Sequence, residues 1–422
     1  MHLVPGLIEV LENFEKTALG QKKSADLLGH KWGLNVQNQW AAGLFDENFR
    51  GLHVGVLGCV ACHSGKAAGQ YIIGLGNKNI DVLQIGKDAT LIEKLYQSLK
   101  PLPPANPAAL EVRDSALSFA KLLSNSTIGN LTQGLVPVAF IRSWFYRQAG
   151  LELPPDMTRG AVKIPFLWGY GEKKSVGQFS DGFGDGTFPG WAVAVELTAG
   201  QEPSTVRSYL PKIEAAEDLF SDFLPPKYPF SINSEKAALG KDVFLNTCAR
   251  CHGTYNVDEQ NLPVYQAPRW IDLEVVKTDS DRLEANTDKF QELVAQNPLN
   301  DIIKSHHFGR GYFAPRLVGV WSRFPYLHNG AIPNIASLLT PPENRPKIFS
   351  VWEAGEFYRF DQDHLGLTVP APGTAESEKL AASSARWIYK TDKVGQSNQG
   401  HPFGTKLSDD EKQNLLEYLK TL

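Results

Sequence analysis

The chain has 422 residues, with 42 Lys and Arg against 46 Asp and Glu, 42% apolar and 21% charged, an ordinary globular balance with room for two or three domains. A formal charge of −4 carries no basic footprint for a nucleic-acid backbone, and four Cys cannot staple so long a chain. No run of about 18 apolar residues appears, so no transmembrane segment is expected.

In chain order, the start Met1-His2-Leu3-Val4-Pro5 lacks the basic end and apolar run of a secretory signal, so an exported protein would be seen here in its mature form. Residues 7–19 read as an amphipathic helix. Then comes Cys59-Val60-Ala61-Cys62-His63. Residues 90–100 and 107–123 read as helices on either side of a Pro-rich run. The run Leu224-Pro225-Pro226-Lys227-Tyr228-Pro229 has the composition of a linker, and a helix from Ser234 to Phe244 leads into Cys248-Ala249-Arg250-Cys251-His252. Ser408-Asp409-Asp410-Glu411 is a capping box that opens a last helix with Leu415, Leu416, Leu419 and Leu422 on one side. Alternating β-branched residues are scarce. The expected fold is mainly α, with long loops and little β-structure.

All four cysteines fall in the two C-x-x-C-H motifs. That is the attachment signature of haem c: two thiols bond the porphyrin vinyl groups and the adjacent imidazole ligates the iron. Four thiolates on one zinc are the alternative, disfavoured because His follows both pairs. A thioredoxin-like pair is disfavoured because a helix, not a strand, precedes Cys248. Two covalently bound haems c are therefore expected. Each would have its own class I cytochrome c-like domain, residues 1–224 and 225–422, with the boundary near 221–230. A weak repeat accompanies them. Pro165-Phe166-Leu167-Trp168-Gly169 and Asp181-Gly182 follow the first motif, and Pro315-Arg316-Leu317-Val318-Gly319 and Asn329-Gly330 follow the second, as loops expected to cover the open haem faces.

Electron-carrying haems take His/Met or His/His axial pairs. Besides Met1 the chain has only Met157, in the turn Pro154-Pro155-Asp156-Met157, where gap-filling is the ordinary role of a Met. His401 closes a glycine-bearing loop, Gly395 to Gly400, and is the expected second ligand of the second iron. His53 and His30 are the residues able to close the first iron. His328 reads equally as a ligand, a propionate contact or a turn residue. Trp191 and Trp321 are candidates for haem packing or electron relay.

Two distant C-x-x-C-H motifs, the segment from Gly319-Val320-Trp321-Ser322-Arg323-Phe324-Pro325 to Tyr326-Leu327-His328-Asn329-Gly330, and the Asn398/Gly400-His401 loop before a final helix together resemble the di-haem cytochrome c peroxidase superfamily. Within it, the rubber oxygenase branch is the most similar. The resemblance covers residues 235–422 and 55–75. It implies that the first haem binds oxygen on His63, while His252 and His401 hold a second haem that modulates or relays electrons. A Trp and a Phe fifteen residues later would line the first haem's pocket, matching Trp168 and Phe183. Rubber oxygenases are substantially longer, which puts polyisoprene itself in doubt as substrate. The resemblance thus implies oxidative cleavage of an unsaturated molecule by O2. Hydrogen peroxide reduction and plain di-haem electron transfer are the alternatives. A redox protein partner, a calcium ion between the domains and a periplasmic or secreted location would fit.

Overall fold

The computed structural model describes residues 2–5, 29, 31–37, 40–49, 52–88, 90, 131–152, 160–168, 180–184, 186–198, 201–257, 263–265, 269–284, 286–304, 309–352 and 359–422. The helices expected at 7–19, 90–100 and 107–123, together with His30 and Met157, lie outside the described residues, apart from residue 90.

Seven helices of eight residues or more are described: α1 (Ala139–Gln148), α2 (Phe188–Thr198), α3 (Pro203–Ser221), α4 (Ser234–Thr247), α5 (Asp288–Ala295), α6 (Ala375–Ala382) and α7 (Asp409–Lys420). Their starts follow from local chemistry. Pro203 sits in the first turn of α3, where its missing N–H costs nothing. The side chain of Asn233 accepts from Lys236 N at the head of α4. At α7 the capping box forms as expected: Ser408 Oγ accepts from Glu411 N, and Glu411 Oε2 accepts from Ser408 N at 2.8 Å. Leu415, Leu416 and Leu419 are buried.

The fold is mostly helical, with short strands between the helices. The described strands form only short sheets, in line with the expected little β-structure. One sheet has three strands, Leu44–Phe49 and His2–Pro5 flanking Leu52–Leu57. The others described have two, among them Ser64–Ala67 with Gln70–Ile73 directly after the first motif, and Leu135–Pro137 with Ala161–Lys163. Three- and four-residue strands are too short to leave a period in the sequence.

The largest hydrophobic cluster gathers Ala67, Leu75 and Trp168 with Phe244, Trp321, Phe349 and Leu415, so one core draws on residues from both sides of position 225. Gly240 decides the crossing of α4 and α7. A Cβ there would fall 1.9 Å from the Asn414 carbonyl oxygen, so only glycine allows this approach. One turn on, Phe244 meets Tyr418 with ring centroids 5.2 Å apart. The run 224–229 is packed rather than free: Trp321 Nε1–H donates to Pro226 O at 2.8 Å, and Tyr228 lies edge-on to the same indole.

Candidate haem centres

The first motif is a single helical turn, Cys59–Cys62, closed by His63 N donating to Cys59 O at 2.8 Å. The surrounding backbone holds it tightly. Asn77, fully buried, donates from Nδ2 to Ala61 O and to Gly33 O, while its own N–H goes to Cys62 O. His63 is buried, and its Nδ1 lies 2.9 Å from Pro165 O. A carbonyl can only accept, so Nδ1 carries the proton and Nε2 keeps its lone pair for a metal. Trp191 stands edge-on to the His63 ring at 5.6 Å.

The second motif repeats this arrangement. Cys248 leads into the turn Ala249–His252, and His252 Nδ1 lies 2.8 Å from Pro315 O. Tyr255 braces it by donating to His252 O and accepting from Leu317 N at 2.7 Å. The P-x-L-x-G repeat therefore has a physical content. In both halves its proline carbonyl fixes the tautomer and orientation of the histidine after C-x-x-C, the outer-shell support that metal-bound imidazoles use. These carbonyls stand behind the ligating side of each ring, a role that reading the loops as covers for the open haem faces did not assign to them.

His401 faces His252, with ring centroids 6.2 Å apart. Two metal–imidazole bonds of roughly 2.0–2.1 Å, with each ring centre roughly 1.1 Å beyond its nitrogen, put trans imidazole centroids roughly 6.2–6.4 Å apart. The pair has the separation that one iron between them requires. Its loop is built for this. His401 adopts φ +45°, its N–H donates to Val276 O, and a Cβ on Gly400 would fall 2.3 Å from the Lys277 backbone. Arg345, buried, donates from Nη1 to Asn398 O and Gly400 O, both at 2.7 Å, and from Nη2 to His401 O at 3.1 Å. Burial, with the nearby His252 and Arg345, pushes the His401 imidazole down to about 3, and burial likewise lowers His252, so both rings are neutral and able to bind metal. Among the described residues no group of three or more His, Cys, Asp or Glu gathers to hold a bare metal ion, so the two cysteine pairs do not form a shared zinc site, and the calcium site remains an expectation.

Trp168 and Phe183 occupy different surroundings. Trp168 is fully buried in the main cluster and donates from Nε1 to Val318 O at 3.1 Å. Phe183 stacks on Phe290 at 5.6 Å, beside the cluster of α1, α2 and α5. The Trp168 bond joins the two repeats, since Trp168 lies three residues after Pro165 and Val318 three after Pro315. His328 stacks on Tyr312 at 4.8 Å with its Nε2 buried and unpartnered, and burial pushes it down to about 3. His53 lies in the strand Leu52–Leu57. Neither Asn77 nor Arg345 is signalled by any motif in the sequence. Each is a lone polar residue far in sequence from what it holds.

No described helix is long and apolar enough to cross a membrane. The profile of a family described as RoxA-like, cytochrome c-like matches residues 311–350, the stretch containing Pro315, Trp321, His328 and Arg345. Uncharacterized protein y4iM of Sinorhizobium fredii (strain NBRC 101917 / NGR234) is 27% identical over 315 residues, 64% of this chain and 66% of that protein. Uncharacterized protein y4iJ of the same strain is 34% identical over 165 residues, 37% of this chain and 23% of that protein. The chain thus spans about two thirds of one relative's length and about a quarter of the other's. A cytochrome c-like domain implies haem c, and the residues at both motifs fit that group.

Proposed function

We propose that this protein is an exported di-haem c-type oxidoreductase. In this reading the haem on Cys59, Cys62 and His63 activates O2 for oxidative cleavage of an unsaturated small molecule, and the haem on Cys248, Cys251 and His252 modulates it and relays electrons. The observation that carries the reading is the facing pair His252 and His401 at 6.2 Å. A haem that His252 and His401 would both hold would be closed to an oxidant, and ligand-binding chemistry would then fall to the other centre.

The haems supply oxidant activation and electron storage. The chain supplies the rest. The cysteines tether each porphyrin, and the Pro165 and Pro315 carbonyls hold a proton on Nδ1 of His63 and His252, raising the basicity of Nε2. Trp168 and Phe183 are the proposed apolar contacts on the substrate side, where aromatic rings exclude water. Trp168 has a second use in this scheme. Its N–H bond to Val318 O links the two repeats by a short covalent and hydrogen-bonded path, suited to moving electrons between the halves. That path also suits hydrogen peroxide as oxidant, with electrons delivered by a redox protein. Trp191 and Trp321 are proposed to pack near the haems. A periplasmic or secreted location follows from where haem c is attached.

The test is the spectrum of the reduced protein with and without carbon monoxide, normalised to two haems. One haem should bind carbon monoxide and the other should stay low-spin. If neither binds it, the protein is an electron carrier and the oxygenase reading fails. Trp168→Ala should alter ligand binding at the first haem, and product analysis with alkenes against hydrogen peroxide separates oxygenase from peroxidase.

A further inference from the structure

Two main-chain carbonyls of the second half converge on one side chain of the first. Lys163 Nζ donates to Arg323 O at 2.5 Å and to Pro325 O at 2.7 Å, and stands 5.9 Å from the centre of the Tyr326 ring. Carbonyl oxygens and a ring face all present negative charge, so together they make a cation site, filled by the protein's own ammonium. The two bonds close 160 and 162 positions of sequence. Main chain reinforces them: Lys163 N donates to His328 O at 2.9 Å, and the strand Ala161–Lys163 pairs with Leu135–Pro137.

The joint has a place in the architecture of both centres. Lys163 is two residues before Pro165, whose carbonyl holds His63, and Arg323 is eight after Pro315, whose carbonyl holds His252. Tying Lys163 to Arg323 and Pro325 therefore fixes the two supporting segments against each other.

A calcium ion at this joint would need roughly six to eight oxygen ligands. The residues do not fit one. Both carbonyls are already taken by N–H donors, and no Asp or Glu is among the described residues that line the adjoining cavity. That cavity is about 40 Å³, room for little more than water. Burial, with repulsion from Arg323 and Lys78, pushes the Lys163 ammonium down to about 7. The two carbonyls oppose that push, because an ammonium donates more strongly than an amine.

We infer that the Lys163 ammonium is the structural cation of this joint, taking the place of the calcium ion expected between the halves, and that the protein holds its halves together without calcium. The inference stands independently of the oxidant used at the haem centres.

The holoprotein is compared with Lys163→Met and Lys163→Ala by metal analysis and by thermal unfolding in chelator and in calcium chloride. Wild-type protein should hold no stoichiometric calcium and should unfold at the same Tm in both solutions. Lys163→Met leaves two carbonyls without a donor and should lower Tm by about 3 °C in both. Lys163→Ala opens space for a small cation. Methylammonium chloride, which brings N–H donors, should recover part of its loss, and tetramethylammonium chloride at equal ionic strength, which has none, should not. If the Ala variant does not accumulate, Lys163→Gln donates without charge and should fall between Lys163→Met and wild type. A wild type that contains stoichiometric calcium and loses Tm on chelation overturns the inference. So does a Lys163→Met or Lys163→Gln protein as stable as wild type, or an equal response of Lys163→Ala to the two salts.

Discussion

Under the proposed two-haem reading, Arg345→Met tests whether His401, as outer ligand of the second haem, is held by its loop. The guanidinium makes five bonds, from Nε to Thr340 O, from Nη1 to Asn398 O and Gly400 O, and from Nη2 to Leu338 O and His401 O. Methionine fills a similar volume and donates nothing, so five carbonyls lose their partner. Hydrogen bonds to a charged group contribute roughly 1.5–3 kcal/mol each, but bonds from one group do not add, and a loss of about 4 kcal/mol is expected. With an unfolding entropy of roughly 2.1 cal/mol/K per residue, 422 residues give about 0.9 kcal/mol/K, so Tm should fall by about 4–5 °C. Three of the five carbonyls belong to residues 398–401, so the local effect should exceed the global one. In the reduced protein the second haem should lose its bis-histidine low-spin bands in a fraction of molecules and begin to bind carbon monoxide. Calorimetry and visible spectroscopy on one sample read both effects. A lower Tm with an unchanged second-haem spectrum would show that Arg345 stabilises the fold without holding His401, and an unchanged Tm would refute the accounting altogether.

Two further outcomes follow from the geometry. Gly240→Ala forces α4 and α7 apart, because the new methyl would fall 1.9 Å from Asn414 O; overpacking of this kind costs about 1–3 kcal/mol, readable as a lower denaturant midpoint, while an equivalent change at exposed Gly373 has open space around it on all sides and costs only the backbone strain of φ +78°. His328 has its folded-state value pushed down to about 3 from an ordinary 6.5, so the unfolded chain takes up its proton first as pH falls. Its contribution to stability is present above pH 6.5 and is lost towards 3, by about 2 kcal/mol at pH 5. His328→Gln, neutral at every pH, should flatten the acid limb of a stability-against-pH curve, and an unaltered limb would mean that His328 is not buried as a neutral ring.

Several features of the candidate centres are legible without any structure because they are local. C-x-x-C-H places two thiols and an imidazole on one helical turn whatever surrounds them, and the capping box at Ser408 and Glu411 fixes its helix start through bonds three residues apart. His401 stands out because so few sulfur ligands compete with it and glycine precedes it. The P-x-L-x-G repeat is visible as letters, but its meaning lies in a main-chain carbonyl, which every residue has and no side chain announces. Pro165 reaches His63 across 102 positions and Pro315 reaches His252 across 63.

The proposed haem attachment is therefore readable along the chain alone, because two thiols and an adjacent imidazole need only be neighbours in sequence. Folding brings His252 to face His401, sets Arg345 against the loop of His401, joins the two repeats through Trp168 and Val318, and gathers Lys78, Lys163 and Arg323 around one pocket. Each of these joins segments far apart in sequence. Such contacts exist only once the hydrophobic core has paid the loop-closure entropy that brings them together, and residue spacing along the chain holds no record of them.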